Sequence, residues 1–206
     1  MANKYAKWLI SLSTALLLTA CLSTPPTHFY VLEPLSESPL KPIISGQKRQ
    51  IGLGPISIPA LLERKQIVTR LPDNSVSIAE FHQWAAPLKD NIAQVLTHNL
   101  ATLQTDDLIR TYPWSAYGMV DYRIIIDIIR FDTRPEQSIN FEATWTIMNE
   151  KTHSALTNGH SKIEHPLSNS SYPATVIALS TVLSEFSREL SQALGKVRNF
   201  NTETPK

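Results

Sequence analysis

The sequence predicts one domain of α/β to α+β class: a mixed or largely antiparallel twisted sheet with two long amphipathic helices packed on it. Two long runs, residues 120–128 and 139–147, alternate apolar and polar side chains with the period of a half-buried strand. Two other stretches carry aliphatic side chains at helical spacing: Leu88, Ile92, Leu96, Leu100 and Leu103, then Val176, Leu179, Val182, Leu183, Phe186, Leu190, Leu194 and Val197. The third observation is negative. No internal repeat divides the 206 residues, and a 42% apolar, 18% charged composition suits one ordinary core.

In chain order, Phe29-Tyr30-Val31-Leu32 is the first β-like run, set between proline-rich extended stretches (Pro25, Pro26, Pro34, Pro39, Pro42). Residues 50–58 form a second strand. Gly52 and Gly54 superficially suggest a phosphate loop, but Pro55 and Pro59 follow in place of a third glycine opening a helix, so a strand with a bulge is the better reading. Residues 66–71 and 75–78 flank Pro72-Asp73-Asn74 and predict a hairpin. The first helix follows, with Pro87 in its first turn and Asp90 complementing its N-terminal dipole. Residues 108–112 are a short strand ending in an aromatic loop, Tyr112, Pro113, Trp114 and Tyr117. Residues 120–128, 139–147 and 153–164 predict an antiparallel meander with a turn at Asn149-Glu150-Lys151. A polar loop at residues 168–171 caps the last helix, and a polar tail occupies residues 199–206.

The first twenty residues are of another kind. Lys4 and Lys7 precede an apolar run from Trp8 to Leu18, too short and too early to span a bilayer stably, and Leu18-Thr19-Ala20-Cys21 follows. This resembles a bacterial lipobox, in which the cysteine becomes the first residue of the mature protein and is acylated, palmitate included. Cys21 is the one cysteine in the chain, so disulfides, thiolate zinc sites and cysteine nucleophiles are excluded. Residues 1–20 are thus a lipoprotein signal peptide, residues 21–28 a lipidated tether and residues 29–198 the domain. A tether of seven residues reaches at most about 25 Å, which keeps the domain close to its membrane. Leu22, rather than aspartate, follows the cysteine; by resemblance to enteric lipoproteins this directs the chain to the periplasmic face of the outer membrane.

Composition removes several functions. Loss of Lys4 and Lys7 with the signal turns a formal charge of +1 into about −1, which leaves no basic surplus for nucleic acid. G-x-S-x-G and H-E-x-x-H are absent. His153, His160 and His165 do not share metal-ligand spacing, since the first two point to opposite faces of a regular strand. Asp106, Asp107, Asp127 and Asp132 are read as loop and strand-face carboxylates, with Asp121, Arg123, Asp127 and Arg130 forming cross-strand ion pairs. No catalytic residue, metal or cofactor is expected. Leu61-Leu62 and the aromatic loop are either docking surfaces or caps on the core.

Several segments together carry a family resemblance: Phe29-Tyr30-Val31-Leu32, the run Ile51-Gly52-Leu53-Gly54-Pro55-Ile56-Ser57-Ile58-Pro59, and Gln66-Ile67-Val68-Thr69-Arg70. Phe81-His82-Gln83-Trp84-Ala85-Ala86-Pro87-Leu88, the strand from Arg123 to Asp132, Phe141-Glu142-Ala143-Thr144-Trp145 and Ala178-Leu179-Ser180 agree with them. In order and spacing they resemble the ABC-type transport auxiliary lipoprotein family across the mature chain. The resemblance implies a non-enzymatic, outer-membrane-anchored periplasmic subunit of an intermembrane lipid transport system that supports envelope integrity. Its implied partner is a periplasm-spanning tube of mammalian cell entry (MCE) domains, around whose end a homo-oligomeric ring would fit. Two other readings stay open. One is a stand-alone lipid-binding lipoprotein with a cavity between helix and sheet; the other is an envelope hydrolase with a triad assembled from separated residues.

Overall fold

A computed structural model describes residues 25–36, 48–114, 118–135 and 137–202. Its elements are β1 (His28–Tyr30), β2 (Arg49–Ser57), a 3-10 turn (Ala60–Leu62), β3 (Gln66–Arg70), β4 (Val76–Trp84) and α1 (Leu88–Leu103), followed by β5 (Asp107–Thr111), β6 (Tyr122–Arg134), β7 (Ser138–Asn149), β8 (Ser154–Pro166) and α2 (Tyr172–Thr202). All eight strands join one mixed sheet, and α1 and α2 pack on it. The final helix runs to Thr202, into the segment read as a polar tail.

β6 organises the sheet. Antiparallel β7 takes one edge of it for its full length, so β2 and β3 share the other edge: Ile51–Ser57 pair parallel with Tyr122–Asp127, and Thr69 with Thr133. From that edge the sheet forks, to β5 beyond β2 and to β4 and β1 beyond β3; β8 closes the opposite border beyond β7. The meander β6–β7–β8 is antiparallel as its alternation predicts. The parallel pairs β1–β4, β2–β5, β2–β6 and β3–β6 make the whole sheet mixed.

Bulges account for the lapses in period. Ile124, Ile126 and Ile128 are buried, then the register slips by one residue at Ile129, which is exposed, and Phe131 returns to the buried face. In β2 the slip falls between Leu53 and Ile56, at Gly54 with φ +123°, a conformation that favours glycine. The β3–β4 hairpin turns at Asn74 (φ 65°), where the Asp73 carboxylate accepts from the Ser75 N–H at 3.1 Å and its hydroxyl at 2.6 Å.

Both helix stripes reach the core as their periodicity predicts. Phe186 of α2 contacts Phe141 (centroids 4.8 Å apart), which meets Phe131 edge-on at 5.6 Å. All three rings are buried, so helix and sheet are joined by aromatic packing. The helices run side by side in the same direction, tied by Asn99 Nδ2 donating to Ser187 Oγ at 3.1 Å and Gln104 Nε2 to Ser191 Oγ at 2.7 Å. Leu62 lies in the core and Leu61 packs against it, so that pair is a cap. Of the aromatic loop, Trp114 lays its ring over Gly52, where a Cβ would stand 2.9 Å from it. Tyr117 lies outside the described residues.

Candidate functional site

The chain enters the fold at β1, the first strand after the predicted tether. His28, Phe29 and Tyr30 pair parallel with His82, Gln83 and Trp84 of β4. Alternation then sets the faces: Phe29 is 64% exposed, Tyr30 is half-buried, Val31 points out and Leu32 enters the core. Residues 31–36 continue as a strap over the helix pair. The Glu33 N–H donates to Ser180 Oγ of α2 at 3.0 Å, and the Leu35 N–H to Asn99 Oδ1 of α1 at 2.7 Å. Asn99 is fully buried and bonds the strap with its carbonyl and Ser187 with its amide. Hydrogen bonds on both sides of the amide offset the cost of burying it.

A stack of rings locks the same end. His82 lies between Tyr172 at the start of α2 (centroids 3.8 Å apart) and His28 (5.2 Å), and its Nδ1 is 2.8 Å from the Tyr30 hydroxyl. Partial burial, reinforced by the neighbouring His28, holds the His82 pKa below its ordinary value.

Beside this lock is a cleft of about 550 Å³, formed where β1, the end of β4, the turn after β2 and the start of α1 meet. Ile58, Trp84 and Leu88 give it an apolar floor, Phe29 one wall, and Ala85, Ala86 and Pro87 another. Its rim carries Arg64, Lys65 and Lys89 against Glu63 and Asp90. Arg64 is fixed there by its Nε donating to the Leu61 carbonyl at 2.9 Å.

The other polar groups singled out in the sequence have structural partners. Asp107 is buried between Arg49 (2.7 Å) and Arg198 (3.1 Å), joining β2, β5 and α2. Asp132 receives Arg70 and Arg130, both at 2.8 Å, and Asp127 receives the Ser57 hydroxyl. Of the four side chains predicted to form cross-strand ion pairs, Asp121 and Arg123 reach across to the turn after β7, whereas Arg130 pairs with Asp132 on its own strand and Asp127 with the Ser57 hydroxyl. Arg123 pairs with Glu150 and Asp121 with Lys151, because the turn after β7 folds back beside the start of β6. The N–H of Gln50, then Lys151 and Arg49, hold the Asp121 carboxyl below its ordinary range. His160 pairs with Glu142 and His165 with Glu185, and among the described residues no group of three or more ligating side chains assembles. Cys21 lies outside the described residues. The strap and its Asn99 clasp are not evident from the pattern of apolar residues. Their signal is polar: Asn99 interrupts the buried face of α1, and a polar residue in such a face requires a partner.

The model of the ABC-type transport auxiliary lipoprotein component matches residues 30–191. The chain belongs to this family. As a member it is a transport auxiliary lipoprotein, and its family is not a known enzyme family. Two crystal structures share the fold. One, of an uncharacterized protein, superposes with a TM-score of 0.69 at 15% identity, covering 82% of this chain and 99% of that one. The other, XCC0632 from Xanthomonas campestris, gives 0.66 at 15% identity over 86% and 100%. No curated protein matches by sequence. Among the described residues, no helix of this auxiliary lipoprotein is long and apolar enough to cross a membrane.

Proposed function

We propose that this auxiliary lipoprotein is anchored by lipid on Cys21 to the periplasmic face of the outer membrane, where it receives the end of a periplasm-spanning tube of MCE domains in an intermembrane lipid transport system. The observation that carries the reading is where the chain enters the fold. The first described strand begins seven residues after Cys21, and the strap fixes that entry point to both helices. Such a domain stays within about 25 Å of the bilayer and needs an elongated partner for any role across the envelope. A homo-oligomeric ring around the tube end is part of the proposal. Its support is that β8 on one border of the sheet and β5 and β1 on the other each pair with one strand among the described residues. Contact between unlike borders is heterologous, and closes a ring when the rotation permits.

The packing between helices and sheet weighs against a carrier with an acyl chain held inside. Phe141, Phe186, Leu183 and Leu190 fill that space.

The test is to tag the protein after Lys206, extract it from native membranes in mild detergent and identify what co-purifies in stoichiometric amount. Recovery of an MCE-domain protein is the expected result. Recovery of the lipoprotein alone with bound phospholipid, even after crosslinking, overturns the proposal in favour of a stand-alone lipid-binding role. A strictly monomeric protein at membrane-like local concentration removes the ring.

A further inference from the structure

We propose that the cleft beside β1 seats the headgroup of an anionic phospholipid in the bilayer that holds the anchor, so that the domain rests on that membrane by this face. The inference depends on lipidation at Cys21 for its geometry and assigns a contact that the anchor alone does not require.

Position is the first argument. Phe29, one wall of the cleft, is eight residues from Cys21, so the mouth of the cleft is held within about 28 Å of the lipid anchor. Most of the Phe29 side chain lies in water, although the strand that carries it is pinned on its other face by Tyr30 and by Leu32 just beyond it. An aromatic ring on a fixed strand next to a membrane tether is placed to enter the headgroup region, as interfacial aromatic residues do.

Charge is the second. The mature chain is slightly acidic overall, yet the rim of this cleft has three cations to two anions. Among the described residues neither Lys65 nor Lys89 is within ion-pair distance of a carboxylate, whereas Asp107, Asp121 and Asp132 elsewhere are all engaged with cations. The two lysines stand on different elements, the turn before β3 and the first turn of α1, and face one opening. A phosphate between them, with its acyl chains directed over Phe29, Trp84 and Pro87, satisfies both the charge and the apolar floor. The volume, about 550 Å³, suits a headgroup with the first part of its chains and is too small to bury a whole phospholipid, which distinguishes a resting contact from a carrier site.

The test uses the full-length lipidated protein in vesicles. Because lipid consumes the Cys21 thiol, a cysteine introduced on the cleft wall (Ala86→Cys) or at distant Met119 (Met119→Cys, a side chain 81% exposed) takes a fluorophore without competition. Quenching by spin-labelled lipid is read in vesicles containing phosphatidylglycerol and in vesicles of phosphatidylcholine alone, with flotation recorded for each sample. The expected result is quenching at position 86 at least threefold greater than at position 119, larger with phosphatidylglycerol. That selectivity is lost in Lys65→Glu/Lys89→Glu and in high salt, while flotation persists. Equal quenching at the two positions, or no dependence on lipid charge, overturns the proposal alone. Failure to float overturns the anchor reading and this proposal with it. Abolition of the difference by millimolar inorganic phosphate marks a site for the free ion and also overturns it.

Discussion

Gly159 in β8 lies beneath the indole of Trp145, where a Cβ would stand 2.3 Å from the ring. The indole is fixed by Nε1 donating to Ser161 Oγ at 3.1 Å, and that hydroxyl donates in turn to Glu189 of α2. Gly159→Ala is expected to displace the ring and lower stability by about 1–3 kcal/mol, read as a shift in the urea midpoint. An unchanged midpoint would show that the ring has room. Phe186→Ala removes the helix-borne ring of the buried trio and is expected to destabilise by about 3–5 kcal/mol, with little relaxation of the packed sheet beneath it. His82 gives a dependence on pH. Its pKa is lower in the folded chain than the 6.5 of a free imidazole, so the unfolded chain binds its proton more readily. The stability it contributes is therefore complete above pH 6.5 and is lost as pH falls through the lowered value. Stability of the native protein is expected to fall more between pH 7 and 5 than that of His82→Phe; equal slopes would assign the dependence to another group.

At the level of elements, the strap is held by two side chains, Ser180 and Asn99, and Asn99 is the one that also ties the helices together. Asn99→Ala leaves the Leu35 N–H and Ser187 without their partner, and the expected result is at least tenfold faster exchange of the Leu35 amide with a global loss of about 1–3 kcal/mol. Unaltered exchange would mean that Leu32 and the Glu33–Ser180 bond hold the strap without Asn99. The strap was hidden from the sequence because it is irregular, and because Glu33 and Ser180, which bond, are 147 residues apart. The helices and the meander were legible almost residue by residue, since periods of 3.6 and 2 report burial directly. Parallel pairing was not legible: alternation tells which face a strand buries and not which strand lies beside it. The fork on β6 escaped notice for that reason, as did the run of β4 through Phe81 and His82 to Trp84, whose partner is the three-residue β1. Of the proposed anchor, the sequence carries the lipobox-like run that ends at Cys21. The cleft is assembled from four separate segments and has no linear motif.

At the scale of the whole molecule, β6 pairs with β2, β3 and β7, and both arms of the fork depend on it. Unfolding is expected to be a single transition, with far-UV and near-UV circular dichroism coincident; separate melting of β1, β3 and β4 would show that the fork divides the domain. Cys21→Ser is expected to release the protein from the membrane fraction with its circular dichroism unchanged, because the proposed anchor is lost while the buried core begins at Leu32. The parallel register of β1 on β4 also bears on how the molecule meets tension. If the anchor is the proposed one, a pull arriving through it runs along β1, so the ladder to β4 and the clasps at Glu33 and Leu35 bear the load together, in shear, instead of opening one after another like a zipper. In the proposed arrangement, with the bilayer at one end and a long partner at the other, the short β1 ladder and its two clasps would share that strain.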